Sequence, residues 1–502
     1  MIEAAAVVGA LGGVAVLLPR SRLAIAGGLA ALAAAELTIG REIIPGGFSA
    51  VVSTPIGIAA LLLAVAAIAG GAAAFARFPS VVPVFLLAAA PFRVSIRVGE
   101  ESAFLLVPLY AVLAAAAAAL VVRLVRENEP TMLPRVASVP CAAFVALAAV
   151  STLWAHDLRG AGVELAFFLF PFTALVAVAG RAPLRPWSAR ALATTLVALG
   201  CLFALVGLWQ VGSGNLFFAP DIEVANAYTS YDRVTSLFND PSIYGRHLAL
   251  ALVVVVLALW LSRIPLALGA GLVALLWSGL YFSYSQSSML ALFVGVLAVT
   301  IAVSAPRVRW LQLAGAVALV LAVAVAVGVL AGGSDQPLGR LTSGRSELVA
   351  DTARVIRDHP LIGVGIGNEA RASDHGERPR RRSGLVRTPS HTTPLTVAAE
   401  LGIAGILLYV LLLAGVARLL VLARARDAPL ALGLGAALVV LVVHSLFYSG
   451  FFEDPLMWGA VAVGAAALAA PARVVSPVPT PTPARAPIRP WSFERSTGRE
   501  AR

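Results

Sequence analysis

The run PIGIAALLLAVAAIAGGAAAFA, residues 55–76, decides the class of this protein. It carries no charged side chain, and it is long enough to cross the hydrocarbon core of a bilayer, which takes about 20 apolar residues. Similar runs recur along the 502-residue chain, which is 60% hydrophobic and only 13% charged. Soluble proteins carry roughly 25% charged residues. The sequence therefore predicts an integral membrane protein that crosses the bilayer many times.

The apolar runs predict an all-α fold, a polytopic bundle with about 12–15 transmembrane helices. They are residues 2–19, 22–38, 55–76, 79–92, 103–122, 136–154, 161–180, 190–211, 242–260, 264–282, 287–305, 311–332, 394–417, 428–447 and 455–471. The run at 79–92 is short for a span and is a candidate re-entrant segment. We expect one membrane domain, 1–471, with a long extracytoplasmic loop at 333–393 that contains short helices. The Pro- and Arg-rich remainder, 472–502, is predicted to be a disordered cytoplasmic tail.

The placement of arginine predicts the orientation. Alternate short loops form two sets. The first holds Arg20, Arg22, Arg77, Arg123, Arg126, Arg135, Arg181, Arg185, Arg190, Arg263, Arg307, Arg309, Arg418, Arg424 and Arg426. The second holds Arg41, Arg93, Arg97, Arg159, Arg233 and Arg246. Because cytoplasmic loops are enriched in basic residues, fifteen against six places the first set in the cytoplasm. The long loop then lies outside.

Composition also excludes several kinds of chemistry. All 37 basic residues are arginine, so the chain has neither a P-loop lysine nor a Schiff-base lysine. The net charge of +11 lies mostly in loops and the tail, which argues against a nucleic-acid partner. Cys141 and Cys201 fall inside apolar runs, as small core residues do.

No metal or cofactor site is predicted. Five histidines show no metal-ligand spacing; they are His156, His247, His359, His375 and His444. No Asp-x-Asp pair is present to hold a metal-bound nucleotide sugar. The segment Gly363–Gly367 looks like a dinucleotide loop, but it follows no predicted strand and is interpreted as a turn.

Three stretches on the predicted outer side concentrate the polar residues. They are YDRVTSLFNDPSIYGR at 231–246, GRSELVADTARVIRDHPLIGVGIGN at 344–368 and SHTTPLTVAAELGIAG at 390–405. The second stretch predicts a helix with Ser343 as its cap and His359-Pro360 at its end. One apolar face recurs at helical spacing, formed by Leu348, Val349, Thr352, Val355 and Ile356.

Together these stretches resemble the O-antigen ligase and Wzy-type O-antigen polymerase family, which comprises membrane glycosyltransferases dependent on polyprenyl diphosphate. The family pattern places an arginine before a turn ending in Asp-Pro-Asn, and a second arginine at the start of a loop helix. A "P-x-x-G-x-G" segment follows, then a histidine about nine residues ahead of "E-x-G-x-x-G". The likeness is close over 233–405, and the span layout matches along the chain.

The resemblance implies a membrane glycan polymerase or ligase for cell-surface polysaccharide. It would transfer a glycan from a polyprenyl-diphosphate carrier to a sugar hydroxyl, on a glycan or lipid-linked acceptor, without a metal or other cofactor. It would lie in a bacterial plasma membrane with its active face outside, among membrane lipids and other polysaccharide-assembly proteins. Matching motifs place the catalytic residues at Arg233, Arg345 and His391.

These residue types suit that chemistry. Negative charge develops on the departing diphosphate, and a guanidinium contacts two such oxygens at once without losing its proton. Arg233 and Arg345 are therefore the candidate clamp. The acceptor hydroxyl must lose a proton, and His391 has a suitable unperturbed pKa.

Four further residues are candidates for substrate binding: Arg246, Gln286, Asp240 and Glu400. Two positions depart from the family. Gln286 stands where an arginine is frequent, in Ser283-Tyr-Ser-Gln-Ser287, and Ser242 replaces the asparagine of Asp-Pro-Asn. Either the clamp is one charge weaker, or Arg246 compensates, or the donor is recognised differently.

Simpler alternatives stay open at this stage. Arg233 and Arg345 are also explained as interface arginines touching lipid headgroups, His391 as a loop histidine bonded to backbone, and Glu400 as a helix-start acid. The cluster Arg378–Arg382 fits a solvated patch. At the level of function, the alternative is a polytopic transporter or a flippase for lipid-linked oligosaccharide. Transporters usually hold polar groups at the bilayer midplane, whereas here they gather at one face. A scaffold protein would not need these polar loops.

Overall fold

A computed structural model describes residues 1–44, 46–98, 101–126, 130–228, 231–304, 345–373 and 392–470. The first half of the chain forms helices α1 (Ile2–Leu17), α2 (Arg22–Ile43), α3 (Gly47–Val52), α4 (Pro55–Arg77), α5 (Val82–Ala89), α6 (Val107–Arg126), α7 (Arg135–Val150), α8 (Leu158–Glu164), α9 (Phe170–Ala179), α10 (Ser188–Ser213) and α11 (Pro220–Asn226). The second half forms α12 (Pro241–Trp260), α13 (Leu266–Ser283), α14 (Gln286–Val303), α15 (Arg345–Asp358), α16 (Glu369–Ser373), α17 (Thr393–Ala423), α18 (Ala428–Ser445) and α19 (Pro455–Ala469).

The predicted transmembrane bundle is confirmed. Within the described ranges, 11 helices are long and apolar enough to cross a membrane, counting α8 and α9 as one helix joined through a π turn at Leu165–Leu169. Shorter apolar helices cover Ile2–Leu17, Pro79–Ala89 and Pro455–Ala469. Every predicted run has its helix except 311–332, which lies outside the described residues. The tail, 472–502, also lies outside them.

The helices differ in how deeply they are packed. The joined helix Leu158–Ala179 is 89% buried over its most apolar window, whereas α4 is 6% buried over its own. An apolar helix with no protein around it must face another apolar medium, and lipid is that medium. The joined helix is therefore central, and α4 lies at the lipid-facing edge.

The structure departs from the predicted helices at residues 94–105. A short antiparallel hairpin, β1 (Val94–Val98) and β2 (Glu101–Leu105), pairs Val94 with Leu105 and Val98 with Glu101. The helix predicted at 103–122 begins instead at Val107. Residues 94–98 alternate apolar and polar, the period of a strand, which an analysis of apolar runs misses. Two short helices, α3 and α11, were also not predicted.

The loops group at two ends of the bundle. At one end, Arg246 contacts Asp454 and the segment 365–368 contacts the segment 151–157. At the other, Arg181 contacts the carbonyl of Thr131 and that of Val16. We call these the Arg246 end and the Arg181 end.

Candidate active site

A glycine-rich loop is built into a break in α17. Gly402 has φ 62° and ψ −158°, which interrupts the helix. The loop supplies the hydrogen bonds that the break leaves unmade. Val364 and Gly365 donate backbone N–H groups to the carbonyls of Ala399 (2.9 Å) and Glu400 (2.8 Å). Buried main-chain groups need such partners, so the loop and the break stabilise each other.

Two glycines of this contact have no room for a side chain. A Cβ on Gly363 would lie 2.2 Å from the carbonyl carbon of Glu400, and one on Gly402 would lie 2.4 Å from that of Leu361. Both residues also have positive φ, which L side chains rarely adopt. The spacing of "P-x-x-G-x-G" and "E-x-G" thus records a close contact between two stretches of backbone. Gly363–Gly367 is a turn, as predicted.

Helix α15 packs its predicted face on this loop. Thr352 and Val355 are buried, and Val355 lies in one apolar cluster with Val364 and Ala399. Val349, predicted on the same face, is 38% exposed. The helix ends at Asp358, immediately before the predicted stop at His359-Pro360.

Two of the three predicted catalytic side chains lie outside the described residues. The backbone of Arg345 starts α15, as predicted, but its side chain is not described. His391 lies outside the described ranges, as does the predicted cap Ser343. The structure therefore describes the supports around these positions and leaves their roles as predictions.

Arg233 is held at the mouth of the bundle at the Arg246 end. Its Nε donates to the carbonyl of Ser283 at 3.3 Å, and its backbone N–H donates to Asn226 Oδ1 at 3.1 Å. The following turn is fixed from inside the bundle, because the buried side chain of Gln210 accepts the N–H of Ser236 (2.6 Å) and donates to its carbonyl (2.9 Å). Arg233 thus sits on a well-anchored segment.

The start of α12 carries Asp240 and Arg246. Asp240 caps the helix, because its Oδ1 accepts from the N–H of Ser242 at 2.6 Å and of Ile243 at 3.2 Å. Arg246 is 5% exposed, and its Nε lies 3.1 Å from Oδ2 of the equally buried Asp454, an ion-pair contact without hydrogen-bond alignment. The pair brings the loop before α19 against α12.

Gln286 lies in the turn between α13 and α14, the turn whose Ser283 carbonyl binds Arg233. Its side chain is exposed. The serines around it are buried, and Ser285 Oγ caps α14 by accepting the N–H of Ser288 at 3.3 Å. The residues that flank Gln286 are thus held in place, whereas its own side chain is accessible.

Buried acidic side chains lie close to the glycine loop. Glu400 is buried in α17, and its Oε1 accepts the N–H of Glu369 at 3.4 Å. Glu369 is itself buried, and its Oε1 accepts the Thr352 hydroxyl at 2.6 Å. Glu164 and Glu453 lie within electrostatic range of Glu400. Burial raises the pKa of Glu453, while the charges of Arg93 and Arg246 oppose that rise.

The predicted site residues whose side chains the structure describes therefore lie at one end of the bundle. Arg233 bonds to the turn that precedes Gln286, and Asp240 and Arg246 lie at the start of α12. Glu453 lies within electrostatic range of both Glu400 and Arg246. Arginines beside buried acids, as here, are suited to bind an anionic group.

A comparison with protein-family models agrees with these motifs. Residues 270–410 match the family model described as O-Antigen ligase. The resemblance to the O-antigen ligase family is confirmed over this segment. No curated protein matches the chain.

The ligase-family segment supplies only part of the site. It includes Gln286, the start of α15, the glycine loop and Glu400. The preceding stretch supplies Arg233, Asp240 and Arg246. It contacts the segment through Arg233, which donates to the Ser283 carbonyl, and through the Ser242 carbonyl, which accepts from Ser288 Oγ. The site thus joins a recognisable segment to helices outside the match.

Sequence reasoning missed several residues around the ligase-family segment. Arg93 and Tyr448 lie in short loops at the Arg246 end, and the charges of Arg93 and Arg246 act on the Tyr448 hydroxyl, whose pKa burial raises. Glu453, Asp454 and Glu369 were missed as well. Their only signal was a polar residue in a loop on the predicted outer side. Among the described residues, no group of three or more His, Cys, Asp or Glu side chains is placed to hold a metal ion.

Proposed function

We propose that this membrane protein transfers a glycan from a polyprenyl-diphosphate carrier to a sugar hydroxyl, as a polysaccharide polymerase or ligase. One observation carries the proposal: the ligase-family segment packs against the end of the bundle that holds Arg233 and Arg246. A charged lipid substrate needs such a site, because its diphosphate stays at the membrane surface while its tail stays in lipid.

In the proposed reaction, the bond between the sugar C1 and the diphosphate oxygen breaks, and the acceptor oxygen bonds to C1. Negative charge grows on the departing diphosphate. Arg233 and Arg345 hold it, and Arg246, seated against Asp454, adds positive charge nearby. His391 takes the proton of the acceptor hydroxyl. Lipid-linked diphosphate is released.

The remaining predicted residues have supporting roles in this proposal. Asp240 caps α12 and so orients Arg246, one and a half turns along the helix. Gln286 is exposed beside the Arg233 contact and hydrogen-bonds the donor without adding charge. Glu400 fixes the joint between loop and kinked helix.

We propose that the Arg246 end faces the outside of a bacterial plasma membrane. The support is the arginine bias of the short loops, which is larger at the Arg181 end. Donor and acceptor glycans are then both on the outer face. A cysteine-accessibility assay with a membrane-impermeant reagent tests this, with Gln286→Cys expected to react from outside and Arg135→Cys from inside.

The reaction itself is tested with the full chain in lipid nanodiscs. A polyprenyl-diphosphate oligosaccharide and an acceptor glycan are supplied with EDTA and without nucleotide. We expect elongated product, reduced at least about 100-fold in His391→Ala and in Arg345→Ala. Arg135→Ala, a change at the Arg181 end, is the matched control and should keep full activity.

Two results would count against the proposal. Equal activity in all variants would show that the assigned residues are not catalytic. If no product forms and the lipid-linked oligosaccharide moves across the membrane of proteoliposomes, the protein is a flippase rather than a transferase.

A further inference from the structure

An apolar cavity of about 760 Å³ lies among the helices, and its deep end reaches Leu250, one turn past Arg246, and Pro455, which follows Asp454. Helices α5, α9, α10, α12, α13, α18 and α19 line it. Along α10 it runs from Arg190 to Cys201, roughly 17 Å at the rise of an α-helix. Along α18 it runs from Pro429 to Leu441, a similar depth. This depth matches one leaflet, about half of the roughly 30 Å hydrocarbon core.

The polar lining is concentrated at one end. Apart from Thr194 and Cys201, the polar lining residues are Arg190, Arg263 and Asp427. All three belong to loops or helix starts at the Arg181 end. Both arginines are exposed, and no hydrogen bond or ion pair of either guanidinium is seen among the described residues. Asp427 caps α18 by accepting the N–H of Leu430 at 3.2 Å.

We propose that this cavity binds a phospholipid with an anionic headgroup, from the leaflet at the Arg181 end. Voids lined by Leu, Val and Ala do not hold water, so a hydrocarbon chain is the occupant that the walls favour. Two guanidinium groups at the mouth favour a phosphate, which they bind with paired hydrogen bonds. The acyl chain of the lipid then lies inside the cavity and its headgroup lies at the mouth, in the orientation that the lipid has in its leaflet.

The charge distribution argues against the glycan donor as occupant. The donor's diphosphate belongs with the arginines of the Arg246 end, whereas the charged mouth of this cavity is at the opposite end. The inference is therefore independent of the proposed transferase. A lipid bound to the folded state alone also stabilises it by mass action.

Native mass spectrometry of the purified chain tests the proposal. Phosphatidylglycerol and phosphatidylcholine are titrated in detergent. We expect phosphatidylglycerol to bind at least tenfold more tightly, and to raise the melting temperature. The double variant Arg190→Gln/Arg263→Gln should lose this preference, and its matched control is Arg135→Gln, an exposed arginine at the same end.

A second pair of variants tests the cavity. Gly433→Phe places a ring in it, because a Cβ at Gly433 meets only Leu257 Cδ2, at 3.6 Å. Gly435→Phe is the control, since this glycine on the same helix does not line the cavity and its Cβ meets nothing within 4 Å. We expect the first change to abolish tight binding and the second to leave it.

Three outcomes would overturn the proposal. They are equal binding of the two lipids, loss of binding in the controls alongside the test variants, and displacement of phosphatidylglycerol by a polyprenyl phosphate. Glycan transfer is measured on the same samples, so failure here is distinguished from failure of the proposed function.

Discussion

Two buried arginines, one at each end of the bundle, are bound in different ways. Arg181 donates its Nε, Nη1 and Nη2 to the carbonyls of Thr131 (3.1 Å), Ala177 (2.9 Å) and Val16 (2.8 Å). Burial lowers its pKa to about 10, so it stays charged at neutral pH. Arg246 contacts Asp454 through Nε, and no hydrogen bond of its Nη atoms is seen within the described part of the chain.

The difference shows which buried arginine is available to a ligand. Three carbonyls use the donors of Arg181 to tie α1, α9 and the segment before α7 together. Arg246 contacts one acid through Nε, and the N–H groups of its Nη atoms can donate to another acceptor. The two buried arginines therefore differ in the hydrogen-bond donors that they leave for a ligand.

The largest expected effects come from replacing these two arginines. Arg181→Leu leaves buried carbonyls without donors, and should lower the free energy of unfolding by about 3 kcal/mol. Arg246→Leu should reduce glycan transfer at least about 100-fold, because positive charge near the departing diphosphate is lost. Thermal unfolding and the nanodisc assay measure the two effects.

Arg246→Leu also leaves the buried Asp454 without its ion-pair partner, which by itself lowers the free energy of unfolding by about 3–5 kcal/mol. The double variant Arg246→Leu/Asp454→Leu removes both charges and serves as the control. It should regain stability without regaining activity. Recovery of activity in the double variant would show that Arg246 is structural, like Arg181.

A second prediction concerns the contact that supports the Arg246 end. Gly402→Ala forces a Cβ to within 2.4 Å of the Leu361 carbonyl carbon at positive φ. The break in α17 and the glycine loop must then separate, at a cost of about 3 kcal/mol. The melting temperature and glycan transfer should both fall.

Gly435→Ala is the matched change on α18, where the added Cβ meets nothing within 4 Å. It should leave stability and activity within error of wild type. Equal effects of the two substitutions would contradict the account of the glycine loop.

The fold was predictable wherever the signal is a long apolar run. Each span needs only length and hydrophobicity, which one sequence displays, and the predicted limits of α12, Pro241–Trp260, differ by a single residue. The hairpin at Val94–Leu105 and the break at Gly402 were not predicted. The hairpin pairs neighbouring residues, and its strand period is too short to stand out among apolar runs. The break depends on a partner distant in sequence, the carbonyl of Pro360 that receives the N–H of Ile403.

The site was predictable only in part. Arg233, Asp240 and Glu400 came from motifs, and the structure places them at one end. Arg93 and Asp454 lie in short loops and belong to none of the motifs. Only the folded bundle shows that Asp454 lies against Arg246.

The smallest effect concerns pH. Burial raises the pKa of Glu453 above its ordinary 4.5, so the fold favours the protonated acid. The folded state then loses stability as pH rises from about 4.5 through the folded pKa. Glu453→Gln cannot ionise, and should be more stable than wild type at about pH 8.

This advantage should disappear at about pH 4, where wild-type Glu453 is protonated in both states. Thermal unfolding across pH measures it, and Glu223→Gln, a change at an exposed acid, is the control. A gain that persists in acid would show that the amide acts through packing rather than through charge.

Guanidinium groups at the Arg246 end are proposed to hold a lipid-linked diphosphate. The most direct measurement is the affinity of the product, polyprenyl diphosphate, for the chain in nanodiscs. Arg233→Gln/Arg246→Gln should bind it at least tenfold more weakly than wild type, while Arg135→Gln binds it equally well. Undiminished affinity in the double variant would contradict the account.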